Sequence, residues 1–514
     1  MTIRFQCWMA LCALARAAVA AGQSPVVADA HAVLQRAMAA QGGASALHGI
    51  DRITTAGLGH RYLREQSERP EGPWFVNYEQ FVETRDYGRS IRLHRSVARG
   101  YATPNWWSDT AWAATPMQIL ADSLAFTQTP RGVAAGTADA AQEAALLMAL
   151  SPERLLVTAE RAQDLTLLRD SVVHGSPHHV LSFSWRGFPV QEFVNARTSL
   201  PSAVRITRTR AASFFWYPWG DVATTFWFSG WTLERGGLRY PRLLTVESDG
   251  GPDYVWHVDR LEINGDLPPL PPLTDSLRNA ARAARRSLDE LPIAQAARTA
   301  QSLAPGVVQL ANNWNVAEVE LDDGVLILEA PMSNGYSSQV MADVSTRFPG
   351  KKIKGVVTTS DSWPHIGGLR EYAARGVPIY VLDLNEPIVR RLLTHRHSLH
   401  PDSLARAART PLLHVVRAPL TLGSGDRAVR LIPYRTATAE RQMMVYFPAR
   451  HLLYTSDLFS RRASGEFFLP EYLAEAMGAV RREGLGVDIV FGMHLAPTPW
   501  ADVIEAIDRA ISSR

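Results

Sequence analysis

Thiol chemistry is all but missing from this chain of 514 residues, which has two cysteines, Cys7 and Cys12. Both fall in a segment that reads as a secretory signal. Arg4 gives a positive start, residues 5–15 are mostly apolar, and Ala18-Val19-Ala20 offers a small-x-small cleavage site. A mature chain beginning at Ala21 holds no thiol, which excludes disulfides, cysteine-ligated zinc and a cysteine nucleophile. Cys12 is not set in a lipoprotein box, so no lipid anchor is expected. Long apolar runs are also lacking: nothing after the signal reaches the ~18 residues that a membrane-spanning helix needs. Nor is there an excess of one charge. The formal +3 comes from 53 basic and 50 acidic residues, which argues against a dedicated nucleic-acid surface. The expectation is a secreted or periplasmic protein with no transmembrane segment and no nucleic-acid partner.

What is present is ordinary globular composition, 46% hydrophobic and 20% charged, in a chain long enough for roughly two to four domains. Residues 31–48 have helical spacing through Val33, Leu34, Ala37 and Met38, punctuated by Gly42-Gly43. From about Ile53 to Ile263 the texture is that of strands, with Asp249-Gly250-Gly251 suited to a hairpin turn. The alanine-rich stretch 134–161 is expected to be helical. Pro268-Pro269-Leu270-Pro271-Pro272 is stiff and cannot join a sheet ladder, so it marks a boundary. A basic amphipathic helix over residues 275–291 follows, its charges read as a solvated face. The resulting division is a signal at 1–20, a β-rich domain at 28–267, a Pro-rich and helical linker at 268–302 and a second domain at 303–514.

The short helix ending in Gly-Gly, the many strands after it and the phrase Thr198-Ser199-Leu200-Pro201 are similar to the periplasmic half-barrel proteins typified by lipoprotein carriers. That resemblance implies a curved sheet with an apolar concave face. Phe214-Phe215-Trp216-Tyr217-Pro218-Trp219 and the triplet Trp227, Phe228, Trp231 could line it, or serve as ordinary packing.

After residue 303 the pattern becomes α+β. Val316 to Leu321 largely alternates, Asp322-Asp323-Gly324 is a turn, and Val325-Leu326-Ile327-Leu328 returns. A helix is expected over 337–347 and a strand over 354–359, followed by Ser360-Asp361-Ser362-Trp363-Pro364-His365-Ile366-Gly367-Gly368. This order resembles the metallo-β-lactamase superfamily, whose loop there reads Thr-His-x-His-x-Asp-His before Gly-Gly. The resemblance implies an αββα sandwich over residues 303–511. Aligned on Gly367-Gly368, the last histidine falls on His365, the aspartate on Pro364 and the earlier histidines on Ser362 and Ser360. The next family ligand, eight residues before Tyr446-Phe447-Pro448, falls on Thr438; the bridging aspartate is Asp457 and the final histidine His494.

Neutral hydroxyls are poor zinc ligands beside imidazole and carboxylate. The half of a dinuclear site that falls on Ser360, Ser362 and Thr438 should therefore be empty. His365, Asp457 and His494 would still supply two imidazoles and a carboxylate for one divalent ion, zinc by the resemblance, or would simply hydrogen-bond one another. Asp361 could replace the missing carboxylate or act as general base. Ser360 or Ser362 could be a nucleophile with His365 as its base. Thr394-His395-Arg396-His397-Ser398-Leu399-His400 imitates the signature, but it follows a helical segment and reads as an exposed helix end. The functional expectation is a divergent metal-dependent hydrolase acting on a small-molecule substrate. The alternative is a non-catalytic protein that binds an apolar ligand or serves as a scaffold.

Overall fold

The computed structural model describes residues 29–512 except 65–66, 68, 100–111, 211–218, 285–299, 312–313, 462–463 and 468–469. The signal segment with Cys7 and Cys12, the aromatic run 214–218 and the second half of the basic helix lie outside the described residues.

Antiparallel pairing dominates the first half. Fourteen strands form one open sheet in which sequence neighbours are mostly space neighbours. The exception draws the ends together: Arg52–Tyr62 pairs with Gly251–Ile263, so Ile53 sits opposite Ile263. Asp249-Gly250 is the tight turn between Arg239–Ser248 and Gly251–Ile263. The alanine-rich stretch is two helices, Ala138–Ala149 and Leu155–Glu160, preceded by a strand, Gly132–Ala135. Helices Ala30–Gln41 and Leu155–Glu160 cover one sheet face and share a core with Leu181, Val190, Val204 and Phe226. Strand alternation puts Phe228 into that core and Trp227 on the opposite face with Phe193 and Val180, so the tryptophan–phenylalanine triplet does not line a single surface.

That covered face also holds charge. Glu83 is wholly buried and is bonded to Arg85 at 2.9 Å, to Arg92, and to Nδ1 of His94 at 3.0 Å. Arg85 in turn meets Glu153 at 2.9 Å. Glu192, equally buried and facing the same core, has no hydrogen-bond partner on either oxygen among the described residues.

The second half is two sheets. Seven strands run from Gln301–Ala304 to Leu413–Val416, antiparallel at first and parallel from Val325–Leu328 onward. Six strands run from Leu420–Leu422 to Thr498–Pro499. Runs such as Val325-Leu326-Ile327-Leu328 are apolar throughout because both faces are covered. Val325 and Ile327 face helices Asn334–Arg347, Leu369–Ala374 and Glu386–Thr394, whereas Leu326 and Leu328 meet the other sheet. Met444 and Tyr446 likewise face helices Pro470–Arg482 and Trp500–Ser512, while Val445 and Phe447 face inward. Helix, sheet, sheet, helix is thus read directly from three stacked cores.

The two halves meet along the segment that imitates the metal signature. Five of the seven residues 394–400 are exposed, as expected of a helix end, but the segment is also a seam. Asp221 N–H donates to Arg396 O at 2.8 Å, and the Asp221 carboxylate accepts from Ser398 N at 2.7 Å and Leu399 N at 3.1 Å. His395 Nε2 lies 3.2 Å from Asp249, and His397 is buried. Gly220 has φ +87°, and a Cβ there would sit 2.4 Å from Arg396 O, so glycine is needed for the halves to touch. Trp219, one residue earlier, is only 2% exposed and packs into the core of the second half with Trp363 and Tyr336.

Candidate functional site

Four strands deliver the site from their C-terminal ends: Val325–Leu328, Ile353–Thr358, Leu452–Tyr454 and Ile489–Phe491. His365 comes from the loop after the second, on a short helix Trp363–Ile366 that Pro364 opens in its first turn. Gly367-Gly368 let that loop press against the Met332-Ser333 backbone; a Cβ on Gly368 would lie 2.5 Å from Ser333 O. Asp457 follows Ser456, whose φ of 57° turns the chain sharply. The Gly492-Met493-His494 turn is tied by Asn315 and Gln309, whose amides donate to Gly492 O at 3.0 and 3.2 Å.

The three residues singled out by sequence come together. His365 Nε2 lies 2.6 Å from Asp457 Oδ2, and His494 Nε2 lies 3.3 Å from Asp457 Oδ1. A fourth member, missed in the sequence, is Glu329: its Oε2 lies 2.7 Å from His365 Nδ1. Glu329 is fully buried at φ 77° and also accepts from Thr359 N–H at 3.3 Å and from the Thr359 hydroxyl. Since carboxylates only accept, both His365 ring nitrogens carry protons. Burial works against that charge, but Asp457 and Glu329 outweigh it and hold the imidazole well above its ordinary value. Burial likewise opposes the Asp457 carboxylate, and His365 prevails and lowers it.

Other expectations fall differently. Asp361 is gripped by Arg441, whose Nε and Nη2 donate to Oδ2 at 2.8 and 2.5 Å; burial raises its carboxyl against the pull of that guanidinium. His365 does not serve Ser360 or Ser362 as a base, because both its nitrogens face carboxylates. Thr438 turns to helix Pro470–Arg482, its N–H and hydroxyl donating to Glu475 at 3.0 and 2.7 Å.

Among the described residues no group of three or more His, Cys, Asp and Glu side chains stands ready to hold an ion. The reason is visible: the 2.6 Å hydrogen bond closes His365 onto Asp457. Two features still fit a metal. Asp457 Oδ1 is buried with no hydrogen bond among the described residues. Its 3.3 Å separation from His494 Nε2 is close to the ~3.4 Å edge expected between two ligands of a tetrahedral zinc. Asp457 and His494 keep 25% and 26% of their side-chain surface exposed, so a small species can reach them. His365, Asp457 and His494 are therefore the residues that would hold one ion, with Glu329 behind the imidazole as an orienting carboxylate.

No family model and no curated protein matches the chain. Among solved structures, the DIM-1 metallo-beta-lactamase overlaps 42% of this chain and 98% of its own at TM-score 0.33 and 12% identity. The chain is similar to metallo-beta-lactamases of known structure. The metallo-beta-lactamase FIM-1 from Pseudomonas aeruginosa, in its mono-zinc form, overlaps 42% of this chain and 95% of its own at TM-score 0.32 and 13% identity. A stereoselective inverting sec-alkylsulfatase from Pseudomonas sp. overlaps 42% and 43%, at TM-score 0.31 and 13% identity. At that overlap the likeness adds nothing to what the paired sheets and their cores establish. No helix among the described residues is long and apolar enough to cross a membrane.

Proposed function

We propose that this protein is an exported, divergent hydrolase of the αββα type, with at most one divalent metal ion, held by His365, Asp457 and His494. The observation that carries the reading is the convergence of two histidines, distant in sequence, on the two oxygens of Asp457 at the sheet edge. A divalent ion bound there supplies Lewis acidity. The chain's own contribution is orientation. Glu329 accepts the Nδ1–H hydrogen bond and aims Nε2 at Asp457, while Arg441 anchors Asp361 in the loop before His365.

Ligation requires His365 to release the proton now shared with Asp457, so metal affinity is expected to rise with pH. Zinc titration of untagged full-length protein at pH 6 and pH 8 tests this. One equivalent should bind more tightly at pH 8, be lost in His494→Ala, and be retained in His400→Ala on the exposed part of the seam. Glu329→Gln should weaken binding by roughly ten- to a hundredfold. A protein that takes up no metal at either pH, and hydrolyses no ester, lactam or phosphodiester, would instead be the non-catalytic binder or scaffold. The specific observation favouring that second reading is the pairing of His365 with two carboxylates, which satisfies both of its ring nitrogens without an ion.

A further inference from the structure

Away from that edge, the first half holds a cavity of about 640 Å³ between helix Ala138–Ala149, helix Leu155–Glu160, the Trp185-Arg186 turn and the linker helix Asp275–Ala283, which contributes Ala281. Its floor is apolar: Leu120, Ala145 and Met148 belong to one small core cluster. Its rim is cationic. Arg154, Arg161 and Arg186 all line it, and none has an ion pair with a carboxylate among the described residues. Arg154 lies 4.7 Å above the Tyr87 ring and Arg186 lies 4.9 Å from the Trp185 ring, so aromatic faces fix both guanidinium planes. Glu153 and Asp51 act on Arg154 from a distance, and Glu153 is itself paired with Arg85 at 2.9 Å. Burial and the neighbouring Arg161 work against the charge on Arg154 and outweigh the pull of Tyr87, Glu153 and Asp51. Cationic side chains lining one depression attract a counter-charge.

We propose that this cavity binds a small amphipathic anion, its oxyanion head held by Arg154, Arg161 and Arg186 and its aliphatic tail laid on Leu120, Ala145 and Met148. Planar guanidinia pair with carboxylate, sulfate or phosphate oxygens in fork geometry, which a lysine rim would not do as well. The site is independent of the αββα edge.

Calorimetric titration of the full chain at pH 7 with decanoate, decyl phosphate, inorganic phosphate and decanol tests both halves of the proposal. Decanoate or decyl phosphate should bind at one site, and whichever binds more tightly identifies the head. Inorganic phosphate and decanol should each bind at least about tenfold more weakly, since each lacks one half of the ligand. Arg154→Gln with Arg186→Gln should weaken binding of the tailed anion about tenfold or more. Arg186→Gln alone, on an exposed turn, gives the same direction if the double variant does not fold. Ala145→Leu should weaken the tailed anion and leave phosphate unchanged. Binding of neither tailed anion, equal binding of phosphate or decanol, or indifference to Arg186→Gln would overturn the proposal.

Discussion

Glu192→Gln is expected to stabilise the protein at pH 9 by roughly 3–5 kcal/mol and to have little effect at pH 4. Glu192 lies in strand Phe188–Asn195, facing Val190, Val194 and Leu181 in the helix-covered core, with both oxygens unpartnered among the described residues. Burial alone pushes its carboxyl up to about 8. In the unfolded chain the same group ionises near ~4.3. Between those values the folded state holds one more proton than the unfolded state, so stability falls as pH rises and has lost its full increment by about pH 8 to 9. An amide does not ionise and escapes that loss. Denaturant melts of both proteins at pH 4 and pH 9 check this: parallel pH profiles would mean that the carboxyl is solvated or paired in solution.

Glu83→Ala should do the reverse, lowering stability by about 3–5 kcal/mol near neutral pH. Glu83 is as buried as Glu192, but Arg92, His94 and Arg85 surround it and carry its carboxyl far below the usual range despite desolvation. Removing it strands cations with no water to solvate them. The contribution is present above the unfolded pKa of Glu83 and disappears as acid protonates the folded group, so the gap between variant and wild type should narrow toward low pH. A gap that stays constant from neutral to strongly acid pH would point to lost packing rather than lost charge.

The contrast between these glutamates shows what could be read from the sequence. Alternation and turn residues located strands such as Val316–Glu320 and Ile353–Thr358 because one- or two-sided burial writes a period into the chain. His365, Asp457 and His494 were legible only through the resemblance to the metallo-β-lactamase motif; in the structure each follows an apolar strand that ends at the same edge. Glu329 carries the same signal, a lone acid after Val325-Leu326-Ile327-Leu328, but the family loop drew attention elsewhere. Other features leave no local trace. Glu83, Arg85, Arg92 and His94 look like a solvent face in sequence, and only their pairing across strands makes them an interior. The histidine-rich segment 394–400 looked like a ligand set or a loose end. Its actual partners, Asp221 and Asp249, lie more than 140 residues upstream.

Trp219 makes the two halves inseparable in practice. Its indole occupies the interior of the αββα unit while the very next residues open a strand of the large sheet. A fragment cut at the proline boundary would keep every proposed ligand and still have a hole where a tryptophan belongs, a defect worth about 3–5 kcal/mol. Evolutionary shuffling of this αββα unit onto another partner would meet the same obstacle. Silence from an isolated C-terminal fragment would therefore speak of a wounded interior rather than of missing chemistry.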